Sequence, residues 1–144
     1  MTIPILKIAA KAESDLLVAK FRVGQIAEMS GLSTLERTQL VVACSEVVRN
    51  ALTFAGEARI EFSIRNLNNM QFIAVTVSDS GPGFSLALIK EKSGLSASKK
   101  LVNDLLIESD PVSGSKVTLL KAVGKSQVRR ITPQIVSEWI ESLK

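Results

Sequence analysis

The sequence predicts an α+β domain in which helices pack on one face of a mixed, mostly antiparallel sheet. Residues 58–66 and 71–79 are two strand-like segments on either side of the turn signal 67–70, which predicts a β-hairpin. Two helical patterns, residues 12–31 and 33–54, follow one another directly before that hairpin. Because helices and strands do not alternate singly, a two-layer α/β sandwich is favoured over a doubly wound parallel sheet.

The elements before the hairpin have boundaries that can be read from the residue types. The apolar residues 3–10 predict the first strand. The first helix is expected to end at Gly31, because glycine favours helix C-termini. Ser33 and Glu36 have the spacing of a capping box, which predicts that the second helix begins there.

The elements after the hairpin include a third helix, a last strand and a final helix. We expect the third helix from about Ser96 to about Leu106, and residues 115–123 predict the strand. The final helix has Thr132 as its N-cap and Pro133 at its first position, where proline is tolerated.

This order divides the chain into two parts. Residues 1–124 form the core domain, and residues 125–144 form a linker and an amphipathic helix, with the boundary inside residues 123–127. The apolar side of the final helix needs a partner, which this domain, a second copy or a further domain could supply.

Composition excludes several kinds of chemistry. The 144 residues include no histidine, which removes His-based acid/base catalysis and His metal sites. The single cysteine, Cys44, forms neither an internal disulfide nor a zinc site, and it favours a cytoplasmic protein. No apolar run reaches the roughly 18 residues that cross a bilayer, so no membrane partner is expected. The net charge of +4 lies after residue 110, in a tail without interleaved aromatic residues, so nucleic acid is not favoured.

The second helix carries two stripes of opposite character. With about 100° per residue, one side is apolar and must face the sheet, while Glu46, Arg49, Asn50 and Thr53 gather on the other side. A solvated helix face is the commonest reason for such a polar stripe. Asn50, however, is a poor helix former. Glu and Asn at i, i+4 can also hold a hydrated divalent cation while the Glu orients or deprotonates a nucleophile.

The segment VSDSGPGF, residues 77–84, follows the returning strand of the hairpin. Asp79 ends that strand, where its carboxylate could accept a hydrogen bond from an exocyclic amine such as that of adenine. Gly81 and Gly83 would let the backbone approach a flat base, because they carry no Cβ. A tight turn around Pro82 is the simpler alternative.

A second glycine-containing segment precedes the predicted third helix. Gly94 lies just before it, and Lys99 and Lys100 lie in its first turns. Free N–H groups at a helix N-terminus, together with two lysines, suit a phosphate chain. An ordinary capped helix with exposed lysines remains the alternative.

Taken in this order, the motifs resemble those of the Bergerat-fold (GHKL) ATPases, and most closely those of anti-sigma-factor and switch-protein serine/threonine kinases. CSEVVRNALTFAG, residues 44–56, resembles the N box of that subfamily, and VSDSGPGF resembles its first glycine box. SKKLVNDLLIES, residues 98–109, resembles its third helix. The resemblance covers residues 5–121, most of the chain.

The resemblance implies a mixed sheet under three helices, with ATP or ADP and Mg²⁺ as cofactors. Glu46 would be the general base or the carboxylate that orients the attacking hydroxyl. Asn50 would bind the Mg²⁺ that bridges the phosphates, and Asp79 would bind the adenine amino group. The remaining residues that the resemblance assigns to the nucleotide are Gly81 and Gly83 at the base, Gly94 with Leu95 over the phosphates, and Ser115 near the base.

The implied activity is transfer of a phosphoryl group from ATP to a serine or threonine of a small antagonist protein, a STAS domain. A homodimer is also left open. Only ten residues, Phe84 to Ser93, separate Gly83 from Gly94, where the subfamily has a longer glycine-rich lid. This short segment favours a second hypothesis, a catalytically degraded module that senses nucleotide or docks a protein. A third hypothesis is a small nucleic-acid binder that uses the basic tail.

Overall fold

A single antiparallel sheet runs through the part of the chain that the structure describes. A computed structural model describes residues 1–80, 95–110, 114–123 and 130–144, apart from the side chains of residues 95, 96 and 110. These ranges contain, in order, β1 (Thr2–Ala10), α1 (Glu13–Met29), α2 (Thr34–Ala55), β2 (Ala58–Leu67), β3 (Met70–Asp79), α3 (Leu95–Lys99), β4 (Asp104–Asp110), β5 (Gly114–Ala122) and α4 (Pro133–Ser142).

The five strands pair in the order β1-β2-β3-β5-β4, and every pairing is antiparallel. The predicted α+β class is therefore confirmed, and the sheet among the described strands is antiparallel rather than mixed. Alternation along the strands sends one set of side chains toward the helices. This set forms most of the buried core together with the inner sides of α1 and α2, and it includes Ile60, Phe62, Ile73, Val75, Val77, Val117 and Leu119.

Local signals decide where the early elements begin and end. At the start of α2, the Glu36 N–H donates to Ser33 Oγ at 3.1 Å, and the Ser33 N–H donates to Glu36 Oε1 at 3.0 Å. The predicted capping box is therefore confirmed. The predicted hairpin is also confirmed, and its turn uses Asn68 and Asn69 at φ 51° and 64°, the left-handed values that a type I′ turn requires.

The prediction of a third helix to about Leu106 is wrong. The helix ends at Lys99, and Asp104–Asp110 form the edge strand β4, which pairs with β5. The segment alternates, because Leu105 and Ile107 pack against the core whereas Leu106 is 42% exposed. The spacing of the same apolar residues also fits a helix, so the pattern alone does not decide between the two structures. Pairing with β5 selects the strand.

The final helix α4 packs on this domain. Thr132 Oγ accepts a hydrogen bond from the Ile135 N–H at 3.2 Å, which confirms the predicted N-cap. Val136 and Leu143 are buried in the same core as the sheet, and α4 contacts β1. Residues 124–127 of the predicted boundary lie outside the described residues. No helix in the described ranges is both long and apolar enough to cross a membrane.

Candidate functional site

Helix α2 runs over the sheet in the same direction as strand β3. Near the start of α2, Lys121 Nζ of β5 donates to Gln39 Oε1 at 2.8 Å, and Lys121 is the cross-strand partner of Ile73. Just beyond the end of α2, Ser80 Oγ donates to Glu57 Oε1 at 2.9 Å, next to the end of β3. These two contacts align the helix with the strand.

The alignment brings Asn50 and Asp79 to the same end of the domain. From Gln39 to Asn50 the helix advances about 16 Å, and from Ile73 to Asp79 the strand advances about 20 Å. Both residues therefore lie near the C-terminal ends of their elements, although they are far apart in the sequence. We call this end, with Asn50, Asp79 and Ser115, the site end of the domain.

Asp79 occupies a buried position at the site end. It is only 5% exposed, and its side chain lies on the helix-facing side of the sheet, as do those of Val75 and Val77. Its cross-strand partner is Ser115, which is 4% exposed and whose Oγ lies 3.4 Å from Ser109 Oγ. A buried carboxylate beside the hydroxyl group of Ser115 can select a ligand that donates hydrogen bonds.

Two cavities open beside Asp79. One has a volume of about 400 Å³ and is lined by Arg59, Ser78, Asp79, Glu108, Ser109, Gly114, Ser115 and Lys116. The other has a volume of about 210 Å³ and is lined by Ala9, Ala10, Lys11, Glu57, Ala58, Arg59, Ser78 and Asp79. Ligand pockets usually enclose about 300–1,000 Å³, so the larger cavity is of the size of a small-molecule site.

Gly114 is required by the backbone next to Asp79. It has φ +98°, and a Cβ built on it would lie 2.0 Å from the Asp79 carbonyl oxygen. Any side chain would therefore both strain the backbone and push β5 away from β3. This glycine holds Ser115 and Asp79 in register at the site end.

Asn50 is half-buried, and its Nδ2 atom is buried without a hydrogen-bond partner among the residues that the structure describes. Leaving a buried amide group unpaired is costly, and native proteins usually satisfy such groups. Among the described residues, this amide nitrogen therefore contributes no hydrogen bond to the fold, which leaves it available to a ligand. The amide can turn to present either its nitrogen or its oxygen. The nitrogen could donate to an acceptor on a bound molecule, and the oxygen could bind a metal ion.

Glu46 lies one helical turn before Asn50 and is engaged by a neighbour. Arg49 Nη1 donates to Glu46 Oε1 at 2.6 Å, and both side chains are partly exposed. The carboxylate therefore lies at the solvent-facing border of the site. Cys44, on the buried side of α2, is no nucleophile, because burial raises the pKa of its thiol to about 12.

The other predicted site residues are described in part or not at all. Gly81, Gly83 and Gly94 lie outside the described residues. Leu95 is the first residue of α3, and its side chain also lies outside them. The described helix α3 has only five residues, and Lys99 and Lys100 after its start are exposed. Among the predicted residues, the structure thus places Asn50, Asp79 and Ser115 toward one end of the domain, whereas neither Asn50 nor Glu46 lines the two cavities beside Asp79.

Sequence reasoning missed the basic side chains of the larger cavity. Arg59 and Lys116 flank Ser78 as cross-strand partners, so the three side chains form one row on the side of the sheet opposite the helices. Because side chains alternate along a strand, Arg59 points away from the side of Ile60 and Phe62. Only the register of β2, β3 and β5 shows that Arg59 and Lys116 lie on either side of Ser78, beside the end of β3.

The described residues contain no cluster of three or more Asp, Glu or Cys side chains that could hold a metal ion. A Mg²⁺ ion that keeps its waters and is shared with phosphates needs only one or two protein oxygens, and Asn50 could supply one. No protein-family model matches the chain, and no curated protein does either.

Proposed function

We propose that this chain is a Bergerat-type ATP-binding domain that binds Mg-ATP at the site end. We further propose that it transfers the γ-phosphoryl group to a serine or threonine of a STAS-type antagonist. The observation that carries the proposal is the convergence of Asn50 and Asp79, two distant motif residues, on one end of the domain. The buried amide nitrogen of Asn50, which has no partner in the described part of the chain, supports a ligand there. The order of helices and strands also supports this fold type.

The base of the nucleotide would lie against Asp79. The carboxylate would accept a hydrogen bond from the exocyclic amine of adenine, and Ser115 would add a hydroxyl group beside it. Adenine is favoured over guanine, because guanine presents an acceptor at the corresponding ring position. From the sequence motif, Gly81 and Gly83 would complete this end of the pocket.

The phosphates would lie toward Asn50. When bound, Mg²⁺ supplies charge neutralisation of the β- and γ-phosphates during transfer. Asn50 would hold the ion through its amide oxygen, and Gly94 would approach the phosphates through its backbone. Phosphoryl transfer depends mainly on positioning and charge stabilisation, which suits a site without histidine.

Glu46 would orient the hydroxyl group of the protein substrate. In the transfer step, the hydroxyl oxygen bonds to the γ-phosphorus as the bond from that phosphorus to the β–γ bridging oxygen breaks, and ADP leaves. The hydroxyl proton passes to the Glu46 carboxylate. Because Glu46 is partly exposed, a substrate protein could reach it from solvent.

A second candidate function is nucleotide binding without transfer. The short ion pair between Glu46 and Arg49 favours it, because the carboxylate must leave Arg49 before it contacts a substrate. The ten-residue segment between Gly83 and Gly94 favours it too. In this case the domain would report the nucleotide state to a bound partner.

Calorimetry with Mg-ATP and Mg-ADP tests the shared part of both functions. We expect binding by the wild type and at least tenfold weaker binding by Asp79→Asn, because an amide offers the adenine amine a poorer acceptor arrangement. Asp104→Asn is the matched control, since Asp104 is exposed on β4 and bonds to the N–H of its neighbour Leu105. Absence of binding to both nucleotides would overturn both functions.

Radiolabel transfer to a STAS-domain protein separates the two functions. We expect labelling by the wild type and none by Glu46→Gln, with nucleotide affinity unchanged. Binding without labelling by the wild type would establish the second function instead. Full labelling by Glu46→Gln would remove Glu46 from the role of base.

A further inference from the structure

A row of three side chains crosses the outer face of the sheet at the site end. Arg59 of β2, Ser78 of β3 and Lys116 of β5 are cross-strand partners, so their side chains lie next to one another on the face opposite the helices. Because neighbouring strands lie about 4.8 Å apart, the two long cations start about 10 Å from each other, with the short Ser78 side chain between them. We call these three residues the basic row.

The basic row lines the larger of the two cavities beside Asp79, which has a volume of about 400 Å³. Arg59 and Lys116 are exposed, and Ser78 is half-buried. Since Ser78 is small, it leaves a gap into which both long side chains can bend. A guanidinium group, an ammonium group and a hydroxyl group can thus reach one bound group together, and all three can donate hydrogen bonds to it.

The two cations of the basic row are not neutralised by the fold. Among the described residues, neither Arg59 nor Lys116 takes part in an ion pair or a side-chain hydrogen bond. Lys11, which lines the smaller cavity together with Arg59, forms no ion pair with the described residues either. These cations therefore remain available to an anion that is not part of the chain.

The nearby carboxylates lie beside the basic row rather than within it. Asp79 is on the helix-facing side of the sheet, and Glu61 lies opposite Lys7 of β1. Glu108 lies one strand beyond Lys116, as its cross-strand partner on β4, and forms no ion pair with it. Glu108 should therefore weaken the binding of an anion without occupying its place.

We propose that the basic row binds the phosphate group of a phosphate monoester. Arg59 presents a planar fork to two phosphate oxygens, Lys116 supplies a compact charge, and the Ser78 hydroxyl group donates to the third oxygen. A phosphate dianion matches the two cations in charge, and its three acceptor oxygens match the three donor groups. The sheet separates the basic row from Asn50, so this site is independent of the proposed Mg-ATP site.

NMR titration of the full chain with inorganic phosphate, without nucleotide or Mg²⁺ and at constant ionic strength, tests the site. We expect saturable shifts of the amide signals of the basic row. Arg59→Gln should bind phosphate at least tenfold more weakly, and Arg59→Lys several-fold more weakly, because lysine lacks the planar fork. Arg65→Gln is the matched control. It changes the same residue type on the same face of β2, about 20 Å away, and should bind phosphate like the wild type.

Two further variants should change the affinity in opposite directions. Lys116→Gln should weaken phosphate binding about tenfold, because it removes a charged donor. Glu108→Gln should strengthen it about threefold, because it removes a negative charge beside the row. Lys7→Gln, on the same face of the sheet, is the control for the loss of a lysine. The changed side chains of all three variants are exposed, so the melting temperature should stay at the wild-type value.

Two monoesters distinguish the sources of the phosphate group. Ribose 5-phosphate represents a small metabolite, and a glycine peptide with one phosphoserine represents a phosphorylated protein. Both should shift the amide signals of the basic row, whereas ribose and the unphosphorylated peptide should not. The monoester that binds more tightly identifies the source.

Three results would overturn the proposal. The first is the absence of saturable shifts with inorganic phosphate and with both monoesters. The second is an equal loss of affinity in Arg59→Gln and Arg65→Gln, since the anion would then respond only to the total charge of the chain. The third is weaker binding by Glu108→Gln, which would place the anion away from the basic row.

Discussion

At the start of α2, polar side chains are paired with one another, whereas near its end Asn50 has a buried amide nitrogen that finds no partner within residues 1–80, 95–110, 114–123 and 130–144. We call the first region, formed by Ser33, Glu36, Gln39 and Lys121, the capped end. There Lys121 Nζ donates to Gln39 Oε1 at 2.8 Å and to the Leu101 carbonyl oxygen at 2.7 Å. Ser33 and Glu36 exchange two hydrogen bonds. The capped end therefore uses its polar groups to hold elements together.

The site end uses its polar groups differently. Among the described residues, Asn50 makes no hydrogen bond through its buried nitrogen, and Glu46 is bound by Arg49 at the surface. One end of α2 therefore stabilises the fold through its polar groups, whereas the other end carries a polar group whose cost to stability the fold tolerates. Substitutions at the capped end should therefore lower the free energy of unfolding, and substitutions of the site side chains should not.

The largest loss of stability is expected from a change to the backbone at the site end, because both ends of the domain depend on the pairing of β5 with β3. Gly114→Ala should lower the free energy of unfolding by about 3 kcal/mol or more, because it combines positive-φ strain with a clash against the Asp79 carbonyl oxygen. Urea denaturation measures the loss. Gly56→Ala is the control: Gly56 has φ +77°, but no atom lies within 4 Å of its added Cβ, so only the strain remains. Equal losses in both variants would contradict the close approach of β5 to β3.

The next effect concerns Lys121, which is 7% exposed. Lys121→Ala should cost about 2 kcal/mol, because it removes two hydrogen bonds and the packing of the side-chain stem. Lys116→Ala on the same strand is exposed and should cost less than about 0.5 kcal/mol. Urea denaturation of both variants compares them, and equal losses would contradict a bonding role for Lys121.

The pH dependence of stability gives a second measure of the capped end. Burial lowers the pKa of Lys121 below its ordinary value of 10.5, and the nearby Glu36 carboxylate opposes part of this shift. Between the lowered pKa and 10.5 the unfolded chain binds more protons than the folded one, so the contribution of Lys121 to stability rises with pH. The stability of the wild type relative to Lys121→Met should therefore increase as the pH approaches 10.5. A constant difference would show that the ammonium group is solvated.

A smaller loss is expected at the helix cap. Ser33→Ala should cost about 1 kcal/mol, because it removes the acceptor for the Glu36 N–H. The hydrogen bond of the Ser33 N–H, and to a smaller extent that of the Ser33 hydroxyl group, holds the pKa of Glu36 below its usual value. The variant should therefore also move that pKa upward. Thermal denaturation and NMR titration measure the two effects. Ser137→Ala, whose hydroxyl donates to a carbonyl on the exposed side of α4, should change neither.

The smallest effect on stability is expected for Asn50→Ala. The change removes a buried, unpaired amide and introduces a better helix former, so stability should stay within about 0.5 kcal/mol of the wild type or rise. Nucleotide affinity measured by calorimetry should nevertheless fall. Gln39→Ala on the same helix should lower stability and leave nucleotide affinity unchanged, because it removes an acceptor of Lys121 far from the site end. A large loss of stability in Asn50→Ala would show that the amide serves the fold.

The sequence alone indicated most of the elements, because their signals are local. Helix caps, the Asn-Asn turn and the apolar stripe of α2 depend on residues within a few positions of one another. The stripe includes Leu40, Cys44 and Val48, and all three are fully buried as their spacing predicts. The motif residues Asn50 and Asp79 could be chosen for the same reason, since each stands out from its own neighbours.

Tertiary structure decided what local patterns leave open. Residues 104–110 can form a helix or a strand, and pairing with β5 selected the strand, because backbone groups at that edge need partners. The approach of Gly114 to the Asp79 carbonyl, and the burial of Lys121 beneath α2, also depend on contacts between distant segments. Such contacts are set by the register of the sheet and the direction of the helix above it. No short stretch of sequence contains that information.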